Sequence, residues 1–260
     1  MSTRDSAWPA GTPCWADLTS TDPDGARAFY GALFGWDLEV GPPESSGYTM
    51  ARHDGRVVTA INGMASPEGA PSAWVTYLAT DDLDATHAAA LAAGATEVLA
   101  PFDVMTAGRM SLAVDPTGAF FGLWQAGDHA GFQAFNEPAT VVWNELLSRD
   151  YEGAKSFYDN LFGFSYEKVD MPPPHEYATI SNGGDMVAGI GSMPPEVPAQ
   201  VPSNWAVYFQ VEDVDSVVAE TVRLGGSMMS EPMTTPWGRM STLADPQGAA
   251  FSVMTPPPSP

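Results

Sequence analysis

The sequence predicts an α+β protein of four βαβββ modules, paired into two homologous domains that each form an open barrel around a cavity. Three observations support this prediction. The stretch GRMSLAVDPTGAFFGLW at residues 108–124 returns as GRMSTLADPQGAAFSVM at residues 238–254. Earlier positions return in the same order, as when Trp15 is matched by Trp143 and Tyr48 by Tyr177. Within each half, the order strand, helix and three strands occurs twice.

The first module begins with TPCWADLTS at residues 12–20, whose alternation predicts a strand. Asp22 and Pro23 follow, and an Asp cap with Pro in the first turn is typical of a helix start. Apolar residues then recur at helical spacing up to Gly35, which can adopt the left-handed conformation that ends a helix. Three short strands complete the module, near residues 36–40, 48–52 and 56–62.

The second module begins with WVTYLAT at residues 74–80, again typical of a strand. Asp81 or Asp82 caps an alanine-rich helix that ends at Gly94. Three further strands are predicted near residues 97–102, 110–114 and 119–125. The second half of the chain follows the same plan, and WAVYFQVEDVDS at residues 205–216 corresponds to WVTYLATDDLDA at residues 74–85.

These boundaries divide the chain into five segments, and each predicted domain has the size of a typical independent folding unit. A monomer with a pseudo-twofold pair of domains and a homodimer both fit this plan. The predicted segments are a flexible N-terminal arm (1–11), the first domain (12–126), a linker (127–138), the second domain (139–255) and a disordered tail (256–260).

Composition limits the classes of function. The net charge is −22, from 32 acidic and 10 basic side chains, which opposes binding to nucleic acid or to an anionic membrane. Cys14 is the only cysteine, so neither an intrachain disulfide nor a cysteine metal cluster is expected. No apolar run suits a signal peptide or a membrane span. We therefore expect a cytoplasmic protein without nucleic-acid or membrane partners.

This layout resembles the vicinal oxygen chelate family, which includes glyoxalase I, extradiol dioxygenases, fosfomycin resistance proteins and bleomycin-binding proteins. The motifs that carry the resemblance are FY-x-x-LFGW at residues 29–36, FY-x-x-LFGF at residues 157–164, the helix starts DDLDA and EDVDS, and the two DP-x-G hairpins. The chain looks closest to two-domain actinobacterial members of glyoxalase-like or hydroxylase-like type. The resemblance implies that paired modules curl their sheets around one cavity, where a small ligand binds.

The resemblance also allows a test for a metal site. Relatives that use a metal carry a His on the first strand of a module, before the helix-capping Asp, and a Glu on the last strand, after the hairpin Gly. Neither type stands at these positions here, and no metal or other cofactor is therefore expected. The four histidines (His53, His87, His129 and His175) have no repeat partners. The residues found at the ligand positions are Trp15, Trp143, Val75, Ala206, Gly122 and Ser252.

Strand alternation predicts which side chains share the cavity with these positions. The candidate substrate-binding set is mostly aromatic, as a pocket for a flat organic molecule requires, although the tryptophans suit a core equally well. Gly122 is expected to leave space at the centre of the first cavity. The predicted substrate-binding residues are Trp15, Tyr77, Phe120, Gly122 and Trp124 in the first domain, Trp143, Tyr208 and Ser252 in the second, and the repeated pair Arg109 and Arg239.

Asp17 and Glu145 are the candidate catalytic residues, since both lie on strands otherwise suited to burial. Desolvation would raise their pKa values and suit them to general acid or base chemistry. A structural role, bonded to backbone amides or to an arginine, is the alternative. Arg109 and Arg239 could bind an anionic group, pair with these carboxylates, or bridge to the aspartates of the DP-x-G turns.

These residues favour a metal-independent protein that handles an aromatic or quinone-like metabolite. It would either bind a small hydrophobic or aromatic ligand, for sequestration or resistance, or act as a hydroxylase-, cyclase- or isomerase-type tailoring enzyme in secondary metabolism. The sequence leaves open whether the protein is an enzyme. The alternative function is a metal-dependent glyoxalase-type lyase or dioxygenase with an unconventional metal site.

Overall fold

The structure, a computed structural model, describes residues 2–256. Met1 and residues 257–260, most of the tail expected to be disordered, lie outside the described residues. Two large sheets carry four helices, two helices to each sheet, and the predicted α+β class with two domains of two modules each is confirmed. The short strands β1 (Ser2–Thr3) and β10 (Ala134–Phe135) form a separate two-stranded sheet.

The first domain follows the predicted order of two modules. Its elements are β2 (Pro13–Ser20), α1 (Pro23–Phe34), β3 (Asp37–Val40), a 3₁₀ turn (Pro43–Ser45), β4 (Thr49–His53), β5 (Arg56–Ala65), β6 (Ala73–Ala79), α2 (Leu83–Ala92), β7 (Thr96–Val104), β8 (Gly108–Val114) and β9 (Phe120–Ala126). The strand order in the sheet is β3-β4-β5-β2-β6-β9-β8-β7. The first strands of the two modules, β2 and β6, therefore pair at the centre, and they run antiparallel.

The second domain repeats this arrangement. Its elements are β11 (Val141–Ser148), α3 (Tyr151–Phe162), β12 (Ser165–Val169), β13 (Tyr177–Asn182), β14 (Asp185–Ser192), β15 (Asn204–Gln210), α4 (Val214–Arg223), β16 (Ser227–Met228), β17 (Met233–Thr235), β18 (Gly238–Ala244) and β19 (Ala250–Met254). The order is β12-β13-β14-β11-β15-β19-β18-β16, and β17 also pairs with β18. Two short strands, β16 and β17, together take the place of the continuous edge strand β7.

The helices start where the sequence predicts. An aspartate side chain accepts a backbone N–H at each N-terminus, which satisfies one of the donors that a helix start leaves free. Gly35 and Gly163 end α1 and α3 with φ of 67° and 69°, the left-handed region that favours glycine. The four capping aspartates are Asp22, Asp82, Asp150 and Asp213. Among the described residues, no helix has the length and apolar character needed to cross a membrane.

Two hydrophobic cores, each rich in aromatic rings and each with residues from both domains, join the domains. Tyr30 on α1 contacts Phe251 of the second domain, with ring centroids 5.4 Å apart, and the Phe34 and Phe209 ring centroids are 5.0 Å apart. Burial of such rings contributes a large part of the stability of a core. Each domain therefore completes its packing only in the presence of the other.

The repeated DP-x-G turns take part in this interface. Tyr30 Oη donates to Asp245 Oδ2 at 3.2 Å, and the equivalent Tyr158 Oη donates to Asp115 Oδ2 at 3.1 Å. Each tyrosine also accepts an indole N–H from its own domain, from Trp74 for Tyr30. The two aspartates thus shape their turns, as expected, and also bind across the interface.

The N-terminal segment and the linker lie against the domains. Ser2–Thr3 pair antiparallel with Ala134–Phe135, and the Gly11 N–H donates to the Ala79 carbonyl at 2.8 Å. The Trp8 ring contacts Phe135 with centroids 4.9 Å apart. Residues 2–11, which we expected to form a flexible arm, are in this structure packed across the junction of the domains.

Candidate functional site

The candidate catalytic residue Asp17 lies on the inner face of the first sheet, which is the face opposite the helices. Tyr48 Oη donates to Asp17 Oδ2 at 2.8 Å, and Tyr77 Oη donates to the same atom at 3.2 Å. Trp15 Nε1 in turn donates to Tyr48 Oη at 2.9 Å. We call this set the Trp–Tyr–carboxylate network of the first domain. It brings together three predicted site residues, Trp15, Asp17 and Tyr77, and adds Tyr48.

Burial controls the protonation of this network. Asp17 is only 5% exposed, and desolvation raises its pKa to about 6, although the hydrogen bonds from Tyr48 and Tyr77 act in the opposite direction. Burial and the neighbouring carboxylate raise the pKa values of both tyrosines, so each phenol remains a proton donor at neutral pH.

The second domain repeats the network around Glu145. Tyr208 Oη donates to Glu145 Oε1 at 3.0 Å, and Trp143 Nε1 donates to Tyr177 Oη at 3.2 Å. Burial raises the pKa of the Glu145 carboxyl, while hydrogen bonds from Tyr177 and Tyr208 lower it. The predicted residues Trp143, Glu145 and Tyr208 therefore meet in one site, joined by Tyr177.

Sequence reasoning missed Tyr48 and Tyr177 as site residues. Each lies near the start of the predicted third strand of its module, and the two match one another in the repeat. A repeated polar aromatic residue at the same strand position was the signal that could have identified them. Their hydroxyls link the tryptophan of each network to its carboxylate.

The two domains differ in the residue that the last strand places beside the network tyrosine, which is Gly122 in the first domain and Ser252 in the second. A Cβ placed on Gly122 would lie 2.1 Å from Tyr77 Cδ1, so the Tyr77 ring occupies the space above this glycine. The expectation that Gly122 leaves a free volume is therefore wrong, because a neighbouring side chain fills it. Ser252, the equivalent residue, shares a 3.0 Å hydrogen bond with the Thr242 hydroxyl.

The linker closes the first site. The His129 ring lies 4.4 Å from the Trp15 ring and 5.6 Å from the Trp124 ring, measured between centroids. The backbone N–H groups of Gly127 and His129 donate to the Ala107 carbonyl, which fixes the segment across the opening. Desolvation lowers the pKa of His129 to about 4, so its imidazole is neutral at pH 7. The predicted residues Trp15 and Trp124 thus contact the protein's own linker.

The second site keeps an opening to solvent. Trp143, Glu145 and Tyr177 are partly exposed, in contrast to the buried Trp15 and Asp17. Trp237 lies at the rim of this site and corresponds to Ala107 in the repeat. Its ring centroid is 6.2 Å from that of Tyr177, and 42% of its surface is exposed. Trp237 and Tyr177 come from opposite ends of the sheet, so the sheet curls until its two sides nearly meet above Glu145.

This geometry predicts that Trp237 restricts access to the second site. The test uses a parent protein with Cys14→Ala and Ser252→Cys, so that its one thiol lies in the second site. Trp237→Ala should accelerate the reaction of this thiol with monobromobimane, a flat bicyclic reagent, by about five-fold. This magnitude follows because an aromatic contact contributes roughly 1 kcal/mol. Trp237→Phe, which keeps a ring at the rim, is the matched control and should react at nearly the parental rate. Equal rates for the Ala and Trp forms would show that the side chain covers nothing.

The arginines predicted to bind substrate lie elsewhere. Arg109 pairs with Asp84 at 2.7 Å and with Asp103 at 2.9 Å, and Arg239 pairs with Asp215 at 2.7 Å. The pairs with Asp84 and Asp215 join β8 and β18 to the starts of α2 and α4, on the face opposite the networks, and the pair with Asp103 joins β8 to β7. The expectation that Arg109 and Arg239 face the ligand is therefore wrong, because both extend toward the acidic first turns of helices. The remaining predicted residue, Phe120, lies on β9 two residues before Gly122, on the same face.

The repeated modules, with the first strands of each pair at the centre of a curled sheet, are those of a two-domain, glyoxalase-like protein. The chain belongs to the Glyoxalase/Bleomycin resistance protein/Dioxygenase superfamily, whose family model matches residues 14–123 and again residues 140–253. The resemblance to the vicinal oxygen chelate family is thereby confirmed.

Individual relatives are similar over nearly their whole length. CFP32 of Mycobacterium tuberculosis, which is named as a glyoxylase, is 41% identical over 95% of this chain and 96% of its own. The anthracycline biosynthesis protein DnrV of Streptomyces peucetius is 35% identical over 94% of this chain and 93% of its own. The Mn(II)-bound glyoxalase from Novosphingobium aromaticivorans shares the fold with a TM-score of 0.65, at 18% identity, over 95% of this chain and 82% of that structure.

The glyoxalase of similar fold binds Mn(II), but residues 2–256 of this chain do not supply a set of ligands for such a metal. Among residues 2–256, no group of three or more His, Cys, Asp and Glu side chains could hold a metal ion. Each network contains a single carboxylate, and tyrosine hydroxyls already bond to it. The inner-face positions at which relatives are expected to supply His and Glu carry Trp15, Trp143, Val75, Ala206, Gly122 and Ser252. The residues present do not fit a metal centre.

Proposed function

We propose that the chain is a metal-independent, glyoxalase-like protein that binds a flat aromatic metabolite in its second domain. The observation that carries this proposal is the partly exposed network of Trp143, Tyr177, Tyr208 and Glu145, with Trp237 at its rim. The homologous network of the first domain is covered by the linker. The ligand site is therefore assigned to the second domain alone.

The chemistry of this site suits a phenol or a hydroxyquinone. Glu145 can accept a hydrogen bond from a ligand hydroxyl, and burial, which raises its pKa, suits its carboxyl to take up or return a proton. Trp143, Tyr177 and Trp237 supply aromatic surfaces for a planar ring. A binding role and a proton-transfer step in the tailoring of such a metabolite both follow from this arrangement.

The relatives support the aromatic class of ligand. DauV and DnrV, both 35% identical to this chain, are named as anthracycline biosynthesis proteins. Anthracyclines are fused-ring compounds with a quinone and phenolic hydroxyls. By analogy, we place this chain in the handling of a polycyclic, hydroxylated aromatic compound.

A matched pair of ligands tests the proposal. Calorimetric titration with 2-hydroxyanthraquinone should give one site per chain, and Glu145→Gln should weaken binding about ten-fold, because an ionised acceptor forms a stronger hydrogen bond than an amide. Anthraquinone, which lacks the hydroxyl, should bind the wild type and Glu145→Gln equally. Asp17→Asn should leave both affinities unchanged, since Asp17 lies in the covered network.

Two results would contradict the proposal. The first is the absence of saturable binding by either compound to the wild-type protein. The second is a stoichiometric transition metal in the same sample after mild purification, which would favour the alternative of a metal-dependent lyase or dioxygenase. A loss of affinity in Asp17→Asn equal to that in Glu145→Gln would instead move the site to the first domain.

A further inference from the structure

Three methionines lie side by side across the outer strands of the second sheet. Met233 on β17 pairs with Met240 on β18, and Met240 pairs with Met254 on β19. Residues paired across neighbouring strands point to the same face of a sheet. These three residues, which we call the methionine row, therefore form one apolar strip that runs inward from the edge of the sheet.

The methionine row lies on the same face as the Glu145 network. Ser252 pairs with Tyr208, whose hydroxyl donates to Glu145, and Met254 follows Ser252 by two residues on β19. Because side chains two residues apart on a strand share a face, the row faces the same space as the network. Among the described residues, neither of the two hydrophobic cores that join the domains includes a member of the row. The row is thus not needed to fill a core.

The row is open to solvent toward the edge of the sheet. Met233 is 56% exposed, Met240 is half-buried and Met254 is buried. The hairpin between β17 and β18, which also carries Trp237, brings the outer end of the row to the rim of the second site. The methionine thioether is flexible and polarisable and makes favourable contacts with aromatic rings. The row therefore offers an adaptable surface to a ring that enters beside Trp237.

The first domain carries a different row at the equivalent positions. Phe102 pairs with Met110, and Met110 pairs with Trp124. The Trp124 ring contacts His129 of the linker, so the protein itself covers the inner end of this row. The second domain has methionine in place of both aromatic residues. Methionine suits an external partner of variable shape better than a fixed internal contact requires.

The distance between the row and Glu145 limits the size of a ligand that touches both. Glu145 pairs with Ala206 on β15, and Met254 pairs with Gln210, four residues further along the same strand. Four residues of a strand advance about 13 Å. A single ring falls short of this distance, whereas three linearly fused rings, met by the long methionine side chains, can span it.

We infer that the methionine row is the far wall of the ligand site and that it selects a linear, three-ring aromatic ligand over a single ring. A hydroxyl at one end of the ligand bonds to Glu145, and the ring at the other end lies against Met240 and Met254. The assignment rests on the proposed function, because Glu145 is the anchor from which the length of the ligand is measured.

Calorimetric titration of the full chain with 2-hydroxyanthraquinone tests the row with a matched pair of variants. Met240→Ala should weaken binding about ten-fold, because the apolar and sulfur–aromatic contacts of one methionine are lost. Met110→Ala, the equivalent change in the first domain, should leave the affinity unchanged. 4-Hydroxyacetophenone, which has the hydroxyl but a single ring, should bind Met240→Ala as it binds the wild type.

Met233→Ala protects the test against misfolding of Met240→Ala, because Met233 is more exposed. It should weaken 2-hydroxyanthraquinone about three-fold, and thermal unfolding checks that each variant folds. If Glu145→Gln weakens binding while both methionine variants bind as the wild type does, the row lies outside the site and the proposed function stands. Equal losses for the one-ring and three-ring probes would also overturn the inference. A wild-type protein that binds neither probe would contradict the proposed function, and the inference with it.

Discussion

Asp245→Ala is expected to lower the free energy of unfolding by about 3 kcal/mol, because it leaves several buried donors without an acceptor. Asp245 Oδ1 accepts from the backbone N–H groups of Gln247 and Ala249, at 2.9 and 2.8 Å. Its Oδ2 accepts from Tyr30 Oη of the other domain. The substitution therefore weakens the turn and the contact between domains together, and urea unfolding followed by tryptophan fluorescence measures the change.

Two comparisons separate these contributions. Tyr30→Phe removes only the hydrogen bonds of the hydroxyl and should lower the free energy of unfolding by about 1 kcal/mol. Asp115→Ala, the equivalent change in the first domain, should match Asp245→Ala, since Asp115 bonds in the same way to its own turn and to Tyr158. A loss below about 0.5 kcal/mol in both aspartate variants, the range of ordinary surface substitutions, would show that the repeated turn does not stabilise the interface.

The duplication made most of the fold predictable from sequence. Trp15 and Trp143 fixed the first strands, and the DP-x-G turns fixed the register of the last ones. Because side chains alternate along a strand, that register was enough to place Asp17 with Tyr77, and Glu145 with Tyr208, on the inner faces. Local pattern and tertiary structure agree at these positions, which is why the prediction succeeded.

The sequence could not reveal contacts made by segments outside the repeat. His129 lies in the linker, where no periodicity indicates burial, and its contact with Trp15 depends on the path of the chain between domains.

The approach of Trp237 to Tyr177 depends on how far the sheet curls. Arg109 was misplaced because a repeated charged residue suggested a ligand, whereas its position on β8 directs it toward the acidic start of α2.

Asp17→Asn is expected to stabilise the protein by as much as about 3 kcal/mol at pH 7. Folding raises the pKa of Asp17 from 3.8 to about 6, so the folded state binds more protons than the unfolded state between these values. The stability that Asp17 contributes is thus fully present below pH 3.8 and is lost as the pH rises through 6. A shift of about 2 pKa units corresponds to about 3 kcal/mol. The asparagine variant has no such loss, and its advantage should appear between pH 4 and 6 and persist above.

His129 imposes the opposite pH dependence over an overlapping range. Folding lowers its pKa from 6.5 to about 4, so its contribution is present above pH 6.5 and is lost as the pH falls toward 4. The two contributions oppose one another in the wild-type profile, and the difference between Asp17→Asn and wild type isolates the carboxylate. Urea unfolding of both proteins at pH 4, 5, 6 and 7 measures that difference, and a constant difference would contradict the raised pKa. If Asp17→Asn gains stability and still binds the ligand as the wild type does, the Asp17 carboxylate destabilises the first domain and is not required for binding in the second.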